Sequence, residues 1–153
     1  GALDYLQKNL RILSGFYGIL RAFDGVVPYR LEMQARLACD GFKNLYAFWN
    51  NLLYDELTKD DGEILNLASK EYSKAVEPYF KDGVRFVTCV FGTYVKGKLK
   101  VKATEAKMAR GEMVRLCAEN NVQSVDEVKA YNVRGYVFNE ELSTETEFVF
   151  VKA

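Results

Sequence analysis

Apolar positions near the N-terminus recur at helical spacing. Leu3, Leu6, Leu10 and Leu13 return every three or four residues with Gln7, Lys8 and Arg11 between them, which predicts an amphipathic helix, and Asp4 suits its positive end. The run Ser14-Gly15-Phe16-Tyr17-Gly18 then leaves two outcomes open. The helix continues and the glycines admit a close neighbour, or two short helices meet in a hairpin. Gly25 to Pro28 ends the segment, because proline forces the preceding Val27 into an extended conformation. Tyr29, Leu31 and Met33 alternate with Arg30 and Glu32, the pattern of a short strand. From Asn44, Leu45, Phe48, Trp49, Leu52, Leu53 and Leu57 mark the apolar face of a second helix.

The period then shortens. Ile64 to Leu67 predicts a buried strand, and residues 68–76 one or two helical turns stopped by Pro78. Phe86 to Val90 and Tyr94 to Ala103, either side of Gly92, predict an antiparallel hairpin. Ala106, Ala109, Met113, Leu116 and Cys117 predict a third helix that ends at Asn120-Asn121. Ser124 and Glu127 form a capping-box pattern that opens a short fourth helix. Residues 135–139 and 147–152 alternate with period two and predict a terminal hairpin. The expected fold is α+β, one domain over residues 1–153, with a mixed sheet and antiparallel hairpins packed by several helices.

Composition narrows the chemistry. A chain of 153 residues, 49% hydrophobic, has enough apolar surface for a real core. Its longest apolar runs fall well short of the roughly 18 to 20 residues that cross a bilayer, and no export signal is evident, so no membrane partner and a cytoplasmic location are expected. Cys39, Cys89 and Cys117 are far apart in apolar or mixed sequence and read as packing residues of a reducing compartment. The chain has no histidine, which excludes Ser-His-Asp and Cys-His catalysis within it. No catalytic residue, metal or cofactor is assigned, and carboxylates alone would hold iron with poor selectivity.

Charge balances overall but not locally. Between Tyr94 and Arg115 seven cations face two carboxylates, while Leu116 to Ala153 carries three cations and seven carboxylates. The strand predicted from Tyr94 to Ala103 sets Lys96, Lys98, Lys100 and Lys102 on one face, spanning roughly 20 Å. Such a stripe suits a phosphate backbone or merely keeps an edge from pairing. Lys107, Arg110 and Arg115 follow on the third helix, where arginine forks suit phosphate or carboxylate. Gly111 within that helix costs about 1 kcal/mol relative to alanine and suggests close approach of a neighbour. If Ser14 to Gly18 form a hairpin, its amides with Arg21 make an anion site. Tyr29, Arg30, Glu32, Asn66, Ser69, Glu71 and Tyr72 lie near element ends. They compose either a polar cleft for a small anionic substrate, Glu32 or Glu71 serving as acid or base with Lys107 and the arginines as anion holders, or a structural network.

The segments LRILSGFYGILRAFDGVVPYRLEM, LYAFWNNLL, ILNLASKEYSKAV, AKMARGEMVR and GYVFNEELS with EFVFVK resemble, in order and spacing, the YaaA family of bacterial peroxide-stress proteins. The resemblance implies a cytoplasmic role in oxidative stress and DNA repair. It also implies non-enzymatic, sequence-nonspecific binding of DNA, duplex or repair intermediates, through a basic cleft and a helix-hairpin-helix-like element at Ser14 to Gly18. An enzyme acting on a small anion in the polar cleft is the alternative. A Ser-Pro-Ala-Lys-containing N-terminal portion typical of the family is not found here, and Ala22 replaces a usual proline. The expectation is a C-terminal piece of a longer protein, able to self-associate through apolar surface which that portion would cover.

Overall fold

The computed structural model describes residues 1–38, 40–60 and 62–153, so the reading of Cys39 lies outside the described residues. Two compact units partition the chain. One comprises residues 1–2, 63–67 and 85–153, and the other residues 3–62 and 68–84.

The first unit is built on a mixed sheet of order β3-β4-β8-β7-β6, with β5 paired to β4. Its strands are β3 (Glu63–Asn66), β4 (Arg85–Val95), β5 (Lys98–Lys100), β6 (Asn132–Val133), β7 (Tyr136–Phe138) and β8 (Glu147–Lys152). β4 pairs in parallel with β3 and with β8, and antiparallel with β5. β7 and β8 form the expected antiparallel pair. Helix α5 (Ala103–Glu119) buries Ala106, Ala109, Met113, Cys117 and Ala118. Leu116, expected inside, is only half-buried. Val87, Phe91, Tyr136, Phe148 and Phe150 are almost wholly buried, and Phe91 stacks on Phe150 with ring centroids 5.3 Å apart. The fourth helix is a 3-10 segment, Val125–Ala130, opened by the capping box. Glu127 accepts from the Ser124 amide at 2.7 Å, and Glu63 accepts from the Ser124 hydroxyl and the Val125 amide.

The second unit contains the residues of α1 (Ala2–Asn9) from Leu3 on, the two-stranded sheet of β1 (Arg11–Ser14) and β2 (Gly18–Arg21), and helices α2 (Leu45–Trp49), α3 (Leu52–Thr58) and α4 (Lys70–Ser73). Between β2 and α2 the chain has no regular helix or paired strand among its described residues, apart from an isolated bridge at Phe42. Residues 29–33, expected as a strand, therefore run irregularly, although Met33 is fully buried.

Local pattern misleads at three places. The N-terminal helix stops at Asn9, and the turn at Ser14 to Gly18 joins two antiparallel strands. The expected helix-hairpin-helix is instead a β-hairpin. Its cause is tertiary. Gly18 adopts φ +83°, which a right-handed helix cannot hold, with the Trp49 ring 2.8 Å from where a Cβ would stand. Gly15 admits the Leu31 carbonyl oxygen to 2.7 Å of the equivalent point. The second helix divides because Asn50 is left-handed at φ 49°, separating α2 from α3. The lysine-rich segment is not one strand. Lys96 and Gly97 form a two-residue turn with both φ values positive, so the chain reverses there and not at Gly92. This is the geometry favoured by tight hairpins.

Candidate functional site

The β4–β5 hairpin forms a ribbon whose cations fall in different places from a single-strand stripe. Thr93 pairs with Lys100 and Val95 with Lys98, so those four side chains share one face. Cys89 lies on the same face of β4 by alternation, and the electrostatic coupling of its thiol with Cys117 of α5 identifies this as the side covered by the helix. Lys98 and Lys100 thus project on the side of α5. Lys96 occupies the turn, and Lys102 stands immediately before the helix in extended conformation, φ −89° and ψ 116°. Lys107 follows on the exposed surface of α5. Lys152 joins the row, since Thr93 also pairs with Lys152 and the Lys152 ammonium lies 5.6 Å from the centre of the Tyr136 ring.

Most cations elsewhere in this unit are engaged. Arg85 grips Asp126 with both terminal nitrogens, at 2.6 and 2.9 Å, and Lys129 reaches the same carboxylate at 3.1 Å. Arg115 holds Glu112 and Glu119, so its fork is occupied, and these bonds push its pKa up. Arg134 contacts the Met108 sulfur. Among the described residues, Lys96, Lys98, Lys100, Lys102 and Lys107 have no carboxylate within ion-pair distance. Arg110 is half-buried, and loss of solvent pushes its pKa down. Gly111 faces open space with no neighbour within 4 Å of a Cβ position, which corrects the expectation of close packing there. A surface depression of about 860 Å³ is lined by Arg85, Lys129, Phe138, Glu140 and Glu145 among others, but its cations already serve Asp126.

The remaining candidates lie in the second unit, apart from Asn66. Ser14 is buried. Its hydroxyl is hydrogen-bonded to the Tyr29 hydroxyl and accepts from the Tyr17 amide at 2.9 Å, while the Gly15 carbonyl accepts from the Trp49 indole at 3.1 Å. Packing therefore accounts for both glycines, Gly15 and Gly18, of the turn. Arg21 is exposed on β2 directly opposite Arg11, and both cations lower the pKa of Glu56 after its hydrogen bond to Lys59. Of the polar group, Arg30 and Glu32 form an exposed ion pair at 3.3 Å. Tyr29, Glu32 and Glu71 all act electrostatically on Tyr72, so the structure does bring these four together. Burial, then the Glu71 charge, raises the pKa of Tyr72 and of Tyr46, whose hydroxyl donates to the Glu71 carbonyl at 2.7 Å. The Tyr46 phenol thus serves as a donor, whereas the Tyr72 oxygen accepts from the Met33 amide, which works against that rise. Ser69 precedes α4 as its N-cap residue without a side-chain cap bond. Asn66 lies on β3 in the first unit and donates to the Thr88 hydroxyl at 3.0 Å. Among the described residues no helix is long and apolar enough to cross a membrane.

With this geometry in place, comparison with known proteins supplies the family. The model for the family described as peroxide stress protein YaaA matches residues 1–142. The chain belongs to the YaaA peroxide-stress protein family. Proteins named UPF0246 protein resemble it closely. Those of Limosilactobacillus reuteri and Lactiplantibacillus plantarum are each 55% identical, over 97% and 98% of this chain and 59% and 60% of their own length. That of Desulfitobacterium hafniense is 54% identical over 98% of this chain and 60% of its own. The chain thus spans about 60% of the length of these YaaA-family relatives. Sequence reading located the basic segment of this YaaA-family chain but not Lys152, because only strand register shows that it stands beside Thr93.

Proposed function

We propose that the β4–β5 ribbon and the first turns of α5 form a sequence-independent DNA-binding surface used in the response to peroxide stress. One observation carries this reading: Lys96, Lys98, Lys100, Lys102 and Lys107 are free of carboxylate partners among the described residues, while Arg85, Arg115 and Lys129 of the same unit are paired. Unpaired lysines raise the local potential of a chain whose formal net charge is zero, so attraction for a polyanion depends on where they cluster. Lysine is a point charge without a recognition fork, which suits contact with phosphates more than reading of base edges. Lys96 adds support, because its backbone φ of 53° is one that asparagine or glycine adopts at lower cost. Family membership supports the stress setting without deciding the ligand.

Fluorescence anisotropy of a labelled DNA against the 153-residue chain, over a salt series, tests the proposal. With four or five phosphate contacts the logarithm of the affinity falls against the logarithm of salt with a slope of about −4. A Lys98→Gln/Lys100→Gln variant, shown by circular dichroism to be folded, binds more weakly and has a slope shallower by about 2. Unchanged affinity and slope in that variant reject the ribbon as the binding surface.

A further inference from the structure

The ribbon carries one feature that phosphate binding alone leaves unused. Tyr94 is 51% exposed near its tip, and its hydroxyl has no hydrogen-bond partner among the described residues. It pairs with Leu99 and shares a face with Gly92, opposite the face of Lys98 and Lys100. Leu99 does not screen it by standing alongside. Its Cγ and Cδ1 lie 2.8 Å from where a Gly92 Cβ would be, so Leu99 lies down over the bare backbone at Gly92. Beyond Tyr94 the chain is exposed at Val95, Lys96, Gly97 and Lys98.

Resting on the DNA-binding reading above, we infer that the ribbon takes unpaired DNA, with a base stacked on the Tyr94 ring and the adjoining phosphates on Lys96, Lys98 and Lys100. A single strand offers the flat faces of its bases, whereas a duplex hides them in its own stack. Charge complementarity also selects the strand. Lys96 stands in the turn between the tyrosine face and the lysine face, and a backbone flexible enough to lap a ribbon whose strands are about 4.8 Å apart meets ring and cations together. A rigid duplex reaches the lysines but gains nothing from the ring.

The test measures anisotropy with labelled oligothymidylate and with a mixed-sequence duplex of the same length, using the 153-residue chain, Tyr94→Ala, Tyr94→Phe and the Lys98→Gln/Lys100→Gln variant. Thermal melts confirm that each variant is folded. The expected result is tighter binding of the single strand, a loss of roughly ten-fold for it in Tyr94→Ala, little change on the duplex, and recovery in Tyr94→Phe, which keeps the ring. Equal losses on both nucleic acids, or no loss on the single strand, overturn the stacking role. If the lysine variant is weakened in that case, phosphate binding by the ribbon survives alone. If it too is unaffected, or the parent chain binds neither nucleic acid, both readings fall.

Discussion

At position 96 a lysine occupies a backbone conformation that resists it. A lysine at φ 53° costs about 1 kcal/mol more than a residue at ease in the left-handed region. Replacing it by asparagine, the favoured first residue of such a turn, is expected to raise unfolding stability by about 0.5–1 kcal/mol and, on the proposed role of the ribbon, to weaken DNA binding. Denaturant titration and anisotropy on the same variant check both signs, and a variant that loses stability as well as affinity contradicts the turn argument. The cysteines follow the opposite logic. Burial pushes the Cys117 thiol up to about 11, with a further contribution from the Glu127 carboxylate. Burial also raises that of Cys89, helped by Cys117. Thiolate is the reactive form, so in a Cys39→Ser background neither thiol is expected to react with maleimide or peroxide at neutral pH until the protein is unfolded. Labelling of the native protein as fast as of the denatured one would show that their burial is not protective.

Elements differ in how far local sequence decides them. Helix α5 and the capping box at Ser124 and Glu127 were legible because their signals, apolar spacing and a serine three residues before a glutamate, are local. The β7–β8 pair was legible from its alternation. The hairpin of β1 and β2 was not, since Leu10 and Leu13 continue the helical spacing. Only the contacts of Gly15 with Leu31 and of Gly18 with Trp49 reveal the turn. Likewise the basic residues were found by composition, but their arrangement depends on a reversal at Lys96-Gly97 rather than at Gly92. The polar group was half legible: Tyr29, Glu32, Glu71 and Tyr72 converge, and no spacing rule could have told them from Asn66, which lies in the other unit. At the start of the 3-10 segment, the fork of Arg85 and then Lys129 hold the Asp126 carboxyl well below the usual carboxylate range. A lowered native pKa stabilises the fold above the unfolded value of about 3.9 and loses that contribution as pH falls toward the native one. Asp126→Asn is therefore expected to cost about 0.5–1 kcal/mol at neutral pH, limited by solvent screening. The difference from the parent should shrink below about pH 4; a constant difference across that range would exclude the ion pairs as its source.

At the scale of the whole molecule, equal numbers of acids and bases conceal an arrangement in which most cations outside the ribbon of the first unit meet a carboxylate, a ring or a sulfur, while the lysines around it do not. If the ribbon binds DNA as proposed, raising the salt should weaken that binding steeply while leaving the melting temperature little changed, because solvent-exposed pairs contribute little to stability. Differential scanning calorimetry and anisotropy in matched buffers separate the two effects. A melting temperature that drops in step with affinity would mean that the same charges hold the fold.

The position of β8 (Glu147–Lys152) closes two edges at once. It lies in the interior of the sheet, parallel to β4 on one side and antiparallel to β7 on the other. Without it, β4 and β7 each present an open edge with unsatisfied amides and carbonyls, the kind of surface on which incomplete chains associate. A version of this chain truncated just before Glu147 should accumulate as aggregate even though it still carries the residues of α1 to α5.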